Sequence, residues 1–372
     1  MRLRRVAAVI LVLMMGVAAA IVARPYGKGL SFVIRAADMR GPLRSAGDIG
    51  ARRVATEATT IGRLYRPDGT PRRFVLLVPG PHLAGIDEPR LVVLATQLAA
   101  SGLAVVTPDI PELSRVEMTP AVTDAIEVAA RAVADLSKAE RTATSDGRIG
   151  LIGLTFSGGL SVVAGGRASL RDRLAFVVSI GGHHDFPSVV RYLCVGAHDS
   201  RQPDMFGTAI VLLNVADRLV PPRQVDRLRD AVRQFLSTDG TADTRRAEAL
   251  ATLKKLARSM PEPSAGLLRY LAEGDLVHLG SRLLPSVAPY ASPPALSPSR
   301  SPKPTTAVFL LHGTQDNVVA SSESEHLAGE LVGHTLVRWL STAVVSGAGF
   351  TASPRLGEAL QLGSFWGEVL SR

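Results

Sequence analysis

An apolar run near the middle of the chain ends in a cluster of small residues. Residues 148–159 read Arg-Ile-Gly-Leu-Ile-Gly-Leu-Thr-Phe-Ser-Gly-Gly. The apolar part is short and continuous, as in a strand buried on both faces, and the glycines after it favour a sharp turn into a helix. A strand that leads directly into a helix is typical of parallel sheets covered by helices. This segment therefore restricts the chain to an α/β architecture.

The length of this strand predicts which residue stands at the turn. If the strand comprises residues 149–154, the turn residue is Thr155, and Gly158 and Gly159 allow the next helix to pack closely. The other register places Ser157 at the turn, but it makes the strand two residues too long. We therefore favour Thr155 and keep Ser157 as the alternative.

Further apolar runs alternate with amphipathic stretches on both sides of this segment. Strands are predicted at residues 73–82, 103–109, 149–154, 174–182, 307–313 and 335–341. Helices are predicted at residues 88–100, 119–138 and 354–370, the second with Thr119 as its N-cap. This alternation predicts an α/β fold with a doubly wound, mostly parallel sheet.

Three segments are similar to signature segments of one family. Residues 153–159 resemble a G-x-S-x-G turn in which threonine takes the place of the serine. Residues 74–82 resemble the strand and loop that supply part of an oxyanion hole, and residues 308–319 resemble a strand that ends in H-G-x-x-D. The chain thus resembles the α/β-hydrolase family over about residues 55–372, with an insertion.

The resemblance implies roles for several residues. Thr155 takes the place of the nucleophile, with Ser157 as the alternative, and Asp316 takes the place of the triad acid. The residue after the nucleophile and a residue of the loop after the first parallel strand form the oxyanion hole of this family. The candidates for that hole are Gly80, His82 and Phe156.

The base of the triad is missing from its expected place. In this family the chain order is nucleophile, acid and histidine, so the histidine is expected after the last strand. Residues 342–350 follow that strand and contain no histidine, and Gly347 lies close to the position of the base. Thr155 is itself unfavourable at a strained turn, because β-branched residues tolerate positive φ poorly. A hydroxyl without a base is a weak nucleophile, so a degenerate triad is expected.

A histidine pair offers an alternative base. His183 and His184 follow the strand of residues 174–182, at the functional edge of an open α/β sheet, where Asp185 or Asp316 is available to orient one of them. We favour the structural interpretation, in which backbone hydrogen bonds hold the pair, and keep His184 as a candidate catalytic residue. No spacing matches a zinc signature, and we expect neither a metal nor a cofactor.

The chain divides into a core and an insertion. Residues 55–198 and 304–372 are expected to form the core, and residues 199–303 a helical lid. The insertion contains helical patterns and a Pro/Ser-rich linker that leads back to the sheet. These segments are residues 221–235, 243–259 and 292–304.

The N-terminus contains an apolar stretch that is just long enough to cross a membrane. Residues 6–23 are uncharged and follow three arginines, and a spanning helix needs about 17–25 apolar residues. We expect a signal anchor over residues 1–24 and a basic juxtamembrane linker over residues 25–54, so that the protein is held at the inner membrane of a bacterium. Export after signal cleavage is the alternative, since residues 18–20 form an A-x-A-like site.

The positive charge is concentrated beside that stretch. Residues 1–73 carry 14 Lys/Arg and 4 Asp/Glu, a net +10, whereas the remaining 299 residues carry 28 and 29, a net −1. A core of nearly zero net charge gives no reason to expect nucleic-acid binding. A basic segment beside a membrane span favours contact with anionic lipid headgroups. The single cysteine, Cys194, excludes an intramolecular disulfide.

These features predict a membrane-anchored α/β-hydrolase-fold protein of carboxylic-ester or acyl hydrolase type with a degenerate triad. Its expected partners are membrane lipid, through the N-terminal helix, and an apolar or acyl small molecule under the lid. An active esterase that combines Thr155 or Ser157 with His183 or His184 is one alternative. A membrane-tethered binding or interaction protein is the other.

Overall fold

The computed structural model describes most of the chain. The described residues are 27–33, 55–140, 142–144, 146–196, 204–237, 243–346, 349–350 and 355–372. The predicted membrane segment, most of the basic linker and Gly347 lie outside these ranges. No helix within them is long and apolar enough to cross a membrane.

An eight-stranded sheet forms the centre of the fold, with the order β1-β2-β4-β3-β5-β6-β7-β8. The strands are β1 Ala55–Ala58, β2 Gly62–Arg66, β3 Phe74–Val78, β4 Ala104–Pro108, β5 Ile149–Leu154, β6 Leu174–Ile180, β7 Ala307–Gly313 and β8 Val337–Thr342. Strands β3 to β8 are parallel, and β2 is antiparallel to both of its neighbours. Two short strands, β9 Val345–Ser346 and β10 Gly349–Phe350, pair separately. The main sheet is mostly parallel, as predicted.

Helices cover both faces of this sheet. They are α1 (residues 27–33), α2 Pro89–Ala100, α3 Pro111–Ser114, α4 Pro120–Ala139, α5 Phe156–Gly165, α6 Phe186–Val195, α7 Met205–Leu219, α8 Pro222–Leu236, α9 Asp243–Ser259, α10 Ser264–Glu273, α11 Leu276–Ala291, α12 Ser321–Leu331 and α13 Leu356–Ser371. Helices α4, α5 and α12 pack on one face, and α1, α2 and α13 on the other. This is the doubly wound layering that the sequence predicts.

The alternation of side chains along each strand divides the core into two layers. In β3, Leu76 and Val78 belong to the layer of α4 and α5, whereas Val75 and Leu77 belong to the layer of α2 and α13. All four side chains are fully buried. A strand with both faces covered reads as a continuous apolar run, which is why the sequence reveals it.

Helices α6 to α11 pack together and extend the core layer of α4 and α5. Asn214 of α7 donates to the Val116 carbonyl at 2.9 Å and accepts from the Met118 N–H at 2.9 Å. The Thr123 hydroxyl of α4 donates to the Ala295 carbonyl at 2.7 Å. The insertion is therefore docked on the core by specific hydrogen bonds as well as by apolar contact.

The short helix α1 docks on α13. The Phe32 and Trp366 rings lie 4.5 Å apart between centroids. A Cβ on Gly29 would lie 1.8 Å from the Gly363 carbonyl oxygen, so the two backbones meet without an intervening side chain. Because α1 begins shortly after residues 6–23, this contact fixes the chain close to the point where the predicted anchor ends.

Most predicted elements are found within a few residues of their predicted limits, and β5, β7 and α9 have the limits expected. Two details add to the prediction. Thr119 is the N-cap of α4, as predicted, and its side chain makes no capping hydrogen bond. The Pro/Ser-rich linker forms two 3₁₀ turns, Pro294–Leu296 and Pro298–Arg300, with Leu296 buried, because proline fixes φ at a value that suits such turns.

Gly280 marks a close approach between α11 of the insertion and α6, which precedes the insertion. A Cβ at this position would lie 1.6 Å from the Cys194 carbonyl oxygen of α6. Gly280→Ala should force α6 and α11 apart and lower the free energy of unfolding by about 1–3 kcal/mol, the usual cost of overpacking. Denaturant unfolding followed by circular dichroism measures this change.

Gly329 of α12 is the matched control. It is exposed, and a Cβ there would meet no atom within 4 Å. Gly329→Ala should raise the free energy of unfolding by up to about 1 kcal/mol, because alanine is the better helix former. A Gly280→Ala variant as stable as the parent would contradict the close helix contact.

Candidate active site

The turn between β5 and α5 holds Thr155 in a strained backbone conformation, with φ 51° and ψ −128°. A β-branched residue rarely adopts positive φ, and outliers of this kind cost of order 1–3 kcal/mol. The Thr155 N–H donates to the Ile180 carbonyl at 2.7 Å, and the Gly158 N–H donates to the Thr155 carbonyl at 2.8 Å. This strained strand-to-helix turn has the geometry that exposes a nucleophile above the sheet in hydrolases.

The turn depends on a close approach of α5 to the sheet. A Cβ on Gly153 would lie 2.2 Å from the Ser157 carbonyl oxygen. One on Gly158 would lie 2.6 Å from Ser179 Oγ, and one on Gly159 2.6 Å from His183 Nδ1. These glycines let the helix begin directly at the end of β5.

The Thr155 hydroxyl has no hydrogen-bond partner among the described residues, and its Oγ1 is buried. It lies against the loop that follows β3, since a Cβ on Gly80 would be 2.5 Å from Oγ1. The structure therefore brings Thr155 and Gly80 together, and none of the described side chains is hydrogen-bonded to Oγ1 to accept its proton.

The loop after β3 offers few backbone donors. It reads Pro-Gly-Pro-His over residues 79–82, and proline has no N–H. The His82 N–H donates to the Leu113 carbonyl at 3.0 Å, and His82 Nδ1 accepts from the Ala84 N–H at 3.1 Å. Of the two oxyanion candidates in this loop, only Gly80 keeps an N–H with no acceptor among the described residues.

Phe156, the third oxyanion candidate, is the first residue of α5. Its N–H has no acceptor among the described residues, as is usual in the first turn of a helix. Its buried ring packs near His183 and Phe186, with centroids 6.1 and 6.0 Å away. The N–H groups of Gly80 and Phe156 are thus the donors that this site retains.

Asp316 lies beside the turn, with only Gly181 between them. Gly181 has φ 65°, and a Cβ there would lie 3.4 Å from Asp316 Oδ2 and 3.9 Å from Thr155 Cα. The structure therefore brings the residue predicted as the acid to the residue predicted as the nucleophile. A side chain at position 181 would fill the space that separates them.

The Asp316 carboxylate is buried and accepts hydrogen bonds from the backbone of its own loop. Oδ1 accepts from the N–H groups of Val318 and Val319 at 2.9 and 3.0 Å. Oδ2 lies 3.7 Å from His312 Nε2, which is too long for a hydrogen bond. Burial raises the pKa of Asp316 above its usual value, although His312 and the two N–H groups oppose the shift.

His312 is fully buried and engaged elsewhere. Its Nε2 donates to the Val319 carbonyl at 2.9 Å, and its Nδ1 is hydrogen-bonded to Ser324 Oγ at 2.6 Å. Both ring nitrogens therefore hold the segment between β7 and α12. His312 supports the Asp316 loop and is not placed to act on Thr155.

Ser157 lies within the first turn of α5 and not at its start. It is fully buried, and its Oγ has no partner among the described residues. The position at the end of β5 is occupied by Thr155. A substrate would have to enter the interface between α5 and the sheet to reach Ser157.

His183 is held inside the protein. Its Nε2 donates to the Leu296 carbonyl at 2.7 Å, and burial lowers the pKa of the imidazole. Its Nδ1 has no partner among the described residues and faces the backbone of α5 near Gly159. The buried Leu296 turn thus fixes His183 beside the helix rather than beside the Thr155 hydroxyl.

His184, the candidate catalytic histidine, is bound to α12. Its Nε2 is hydrogen-bonded to Glu330, which also pairs with Lys303 at 2.6 Å. Its backbone N–H donates to Glu323 Oε2 at 2.9 Å. The structure does not bring the His184 ring to Thr155 Oγ1.

The other histidines that the structure describes do not supply a base either. His278 pairs with Asp275, His326 lies 6.1 Å from the His184 ring, His334 follows α12, and His198 is outside the described residues. None of the described histidines is hydrogen-bonded to Thr155 Oγ1. Across the described ranges, no group of three or more His, Cys, Asp and Glu is arranged to hold a metal ion.

Two residues of the site were missed by sequence reasoning. Pro81 removes a backbone donor from the loop beside Thr155, and the doublet of prolines around Gly80 was the available signal. Gly181 separates Asp316 from the turn. Its place in the Gly-Gly pair after β6 was visible, but the distance to Asp316 was not.

The order of the parts along the chain matches their arrangement in space. The donor loop follows β3, the strained turn follows β5, and the buried aspartate follows β7, all at the carboxyl edge of one mostly parallel sheet. The chain has an α/β-hydrolase fold.

The sequence matches no protein-family model, and no curated protein matches it significantly. Among solved structures, an esterase from Pyrobaculum calidifontis shares 17% identity, with 94% of this chain and 91% of that chain covered and a TM-score of 0.42. A thermostable esterase from Pseudomonas putida shares 11%, with 93% and 97% covered and a TM-score of 0.46. An acylaminoacyl peptidase from Pyrococcus horikoshii shares 10%, with 84% and 40% covered and a TM-score of 0.42. Likenesses this distant carry no information about the activity of this chain.

Asp316→Asn should stabilise the protein at neutral pH. Asparagine keeps an oxygen for the Val318 and Val319 N–H groups and removes the buried charge. We expect the melting temperature at pH 7 to rise by about 1–2 °C, equivalent to about 1 kcal/mol for a chain of 372 residues. The raised pKa of Asp316 means that the folded protein binds this proton more readily than the unfolded chain, so the parent gains stability as pH falls through the folded pKa. The difference in melting temperature between Asp316→Asn and the parent should therefore become smaller as the pH is lowered.

Asp146 provides a control of opposite sign. Hydrogen bonds from Arg73 and Arg148 hold the pKa of Asp146 below its usual value. The ionised Asp146 therefore raises the free energy of unfolding at neutral pH, and this contribution is lost as the pH falls through the folded pKa. Asp146→Asn should thus destabilise the protein at pH 7 and become neutral in acid. A loss of stability in Asp316→Asn at pH 7 would show that its charge is favourable.

Proposed function

We propose that this protein is a membrane-anchored member of the carboxylic-ester or acyl hydrolase type in which the triad has become degenerate, so that it binds an apolar or acyl molecule instead of hydrolysing it. The observation that carries the proposal is the buried Thr155 hydroxyl, which has no hydrogen-bond partner among the described residues. Acyl transfer needs a base that removes the proton of the nucleophile. The proposal rests on the chemistry of the site and not on the distant structural likenesses.

The sequence after β8 supports the loss of the base. The last histidine of the chain is His334, which precedes β8, so no histidine follows the last strand of the main sheet, where the usual order places the base. His183 and His184 are both hydrogen-bonded to other elements. The alternative in which one of them activates Thr155 or Ser157 would require these contacts to break.

The donor set at the turn supports the same conclusion. Pro81 has no N–H, and the His82 N–H is bound to the Leu113 carbonyl. Removing one oxyanion donor from an active hydrolase costs about 10²–10³-fold in rate. A site that lacks a base, and in which the loop after β3 offers the N–H of Gly80 alone, suits binding of a neutral acyl group better than stabilisation of an oxyanion.

The purified protein should hydrolyse short p-nitrophenyl esters no faster than its Thr155→Ala variant. The reason is that a threonine without a base is a weak nucleophile. Initial rates over a range of ester concentrations, with Ser157→Ala as the matched control, provide the measurement. A clear loss of rate in Thr155→Ala would instead support the active esterase, and labelling by a fluorophosphonate probe would give the same answer.

Repair of the triad tests whether the scaffold is otherwise intact. Thr155→Ser combined with histidine at Ser346, Gly347 or Ala348 should restore esterase activity by about 10²–10⁴-fold, the usual contribution of a general base. Adding Pro81→Gly should raise the rate further by about 10²-fold if that loop again donates an N–H. If every repaired variant is inactive although circular dichroism confirms that it is folded, the pocket is not an otherwise intact hydrolase site. The result would then favour a binding or interaction role.

Membrane anchoring is proposed from the sequence. Residues 6–23 are uncharged, and α1 docks on α13 shortly after them. Full-length protein should remain with membranes during alkaline carbonate extraction, whereas a chain that lacks residues 1–24 should be released. Recovery of a soluble form that begins near Ile21 or Arg24 would demonstrate a cleaved signal peptide instead.

Lipid that co-purifies with the full-length protein but not with a Thr155→Trp variant would identify an apolar ligand at the turn.

A further inference from the structure

A cavity of about 140 Å³ lies within the helical insertion, away from the sheet. Its wall is formed by α8, by α10 and by the segment that enters α10. The lining residues are Arg223, Gln224, Arg227, Met260, Pro261 and Ser264. The volume is roughly five times the share of one water molecule in the liquid, which is enough for a small polyatomic ion.

Two of the four arginines of α8 face this cavity without an ion-pair partner. Arg229 pairs with Asp217 at 3.0 Å, and Arg233 pairs with Asp230 and Glu117 at 3.2 and 3.5 Å. By contrast, Arg223 and Arg227 pair with no carboxylate that the structure describes. Like charges one helical turn apart are destabilising, so an anion between them would relieve this repulsion.

The floor of the cavity is held in place by buried polar contacts. Gln224 is 4% exposed, and its Oε1 accepts from the Ser264 hydroxyl at 2.6 Å. Its Nε2 donates to the Glu262 carbonyl at 3.1 Å. These bonds join the first turn of α8 to the first turn of α10, and they leave the arginines on a rigid support.

The backbone at this place also favours an anion. Helix α8 begins at Pro222 without a side-chain cap, and the Arg223 N–H has no acceptor among the described residues. The positive end of a fifteen-residue helix thus lies at the cavity. The carboxylate of Glu262, in the segment that enters α10, accepts from the Gly266 N–H at 3.0 Å and pairs with Arg269.

We propose that this cavity binds a phosphate group, either that of an anionic lipid or that of a soluble phosphomonoester. Guanidinium groups recognise phosphate oxygens through paired hydrogen bonds, and a phosphate has enough oxygens to accept from both arginines at once. Met260 and Pro261 offer an apolar wall to the group that carries the phosphate. The site contains no residue of the strained turn and does not depend on the chemistry there.

Calorimetric titration of full-length protein in phosphatidylcholine nanodiscs with inorganic phosphate tests the proposal. The parent should bind, and the double variant Arg223→Gln/Arg227→Gln should bind roughly tenfold more weakly. Arg229→Gln removes one positive charge from the same helix outside the cavity, and it should change the dissociation constant by less than about twofold. Because all three arginines lie on the helix surface, the variants should fold like the parent, which circular dichroism verifies.

Absence of binding up to about 10 mM phosphate would overturn the site. So would equal weakening by the double variant and by Arg229→Gln, because that result shows only a general effect of charge. The source of the phosphate is decided by repeating the titration in nanodiscs that contain phosphatidic acid. Competition by the lipid identifies a headgroup, whereas undiminished binding identifies a soluble phosphate compound.

Discussion

The turn at Thr155 is the constraint on which the arrangement of the site depends. The chain passes from β5 to α5 through a single residue at φ 51°, a strain of order 1–3 kcal/mol for a β-branched side chain. The bond from the Thr155 N–H to Ile180 and the contact of glycines 153 and 158 with their neighbours hold this geometry. Because helix–sheet packing enforces the turn, its shape is kept whichever side chain stands there.

This separation of shape from chemistry explains how the turn of an α/β-hydrolase fold can persist where the described residues place no base beside the hydroxyl. Asp316 and Gly80 lie beside the turn, yet the Thr155 hydroxyl is hydrogen-bonded to no base among the described residues. Pro81, in the same loop as Gly80, has no N–H to donate. Asp316 still has a structural task, since its Oδ1 accepts two N–H groups of its own loop. These two bonds give Asp316 a role in the structure of the loop that does not depend on a histidine partner.

The sequence predicted those parts of the fold in which burial leaves a clear pattern. The limits of β5 and β7 followed from apolar runs that end at a turn. Strands β1 and β2 were not predicted, because both are short and carry polar residues, and β1 lies at the edge of the sheet. At the site, the turn and the acid were predicted from motifs, whereas the roles of Pro81 and Gly181 depend on distances between segments far apart in the chain. The histidine pair was ambiguous for the same reason, since its partners Leu296 and Glu330 come from later elements.

The insertion is coupled to the site through a second strained residue. Val116 is buried at φ 61°, and its carbonyl accepts from Asn214 of α7, which also accepts from the Met118 N–H. The neighbouring Leu113 carbonyl accepts the His82 N–H, so the same short segment holds both the insertion and the loop beside Thr155. Two hydrogen bonds of about 1 kcal/mol each are comparable with the strain that they hold in place. The position of α7 and that of the loop beside Thr155 therefore depend on one backbone segment, residues 113–118.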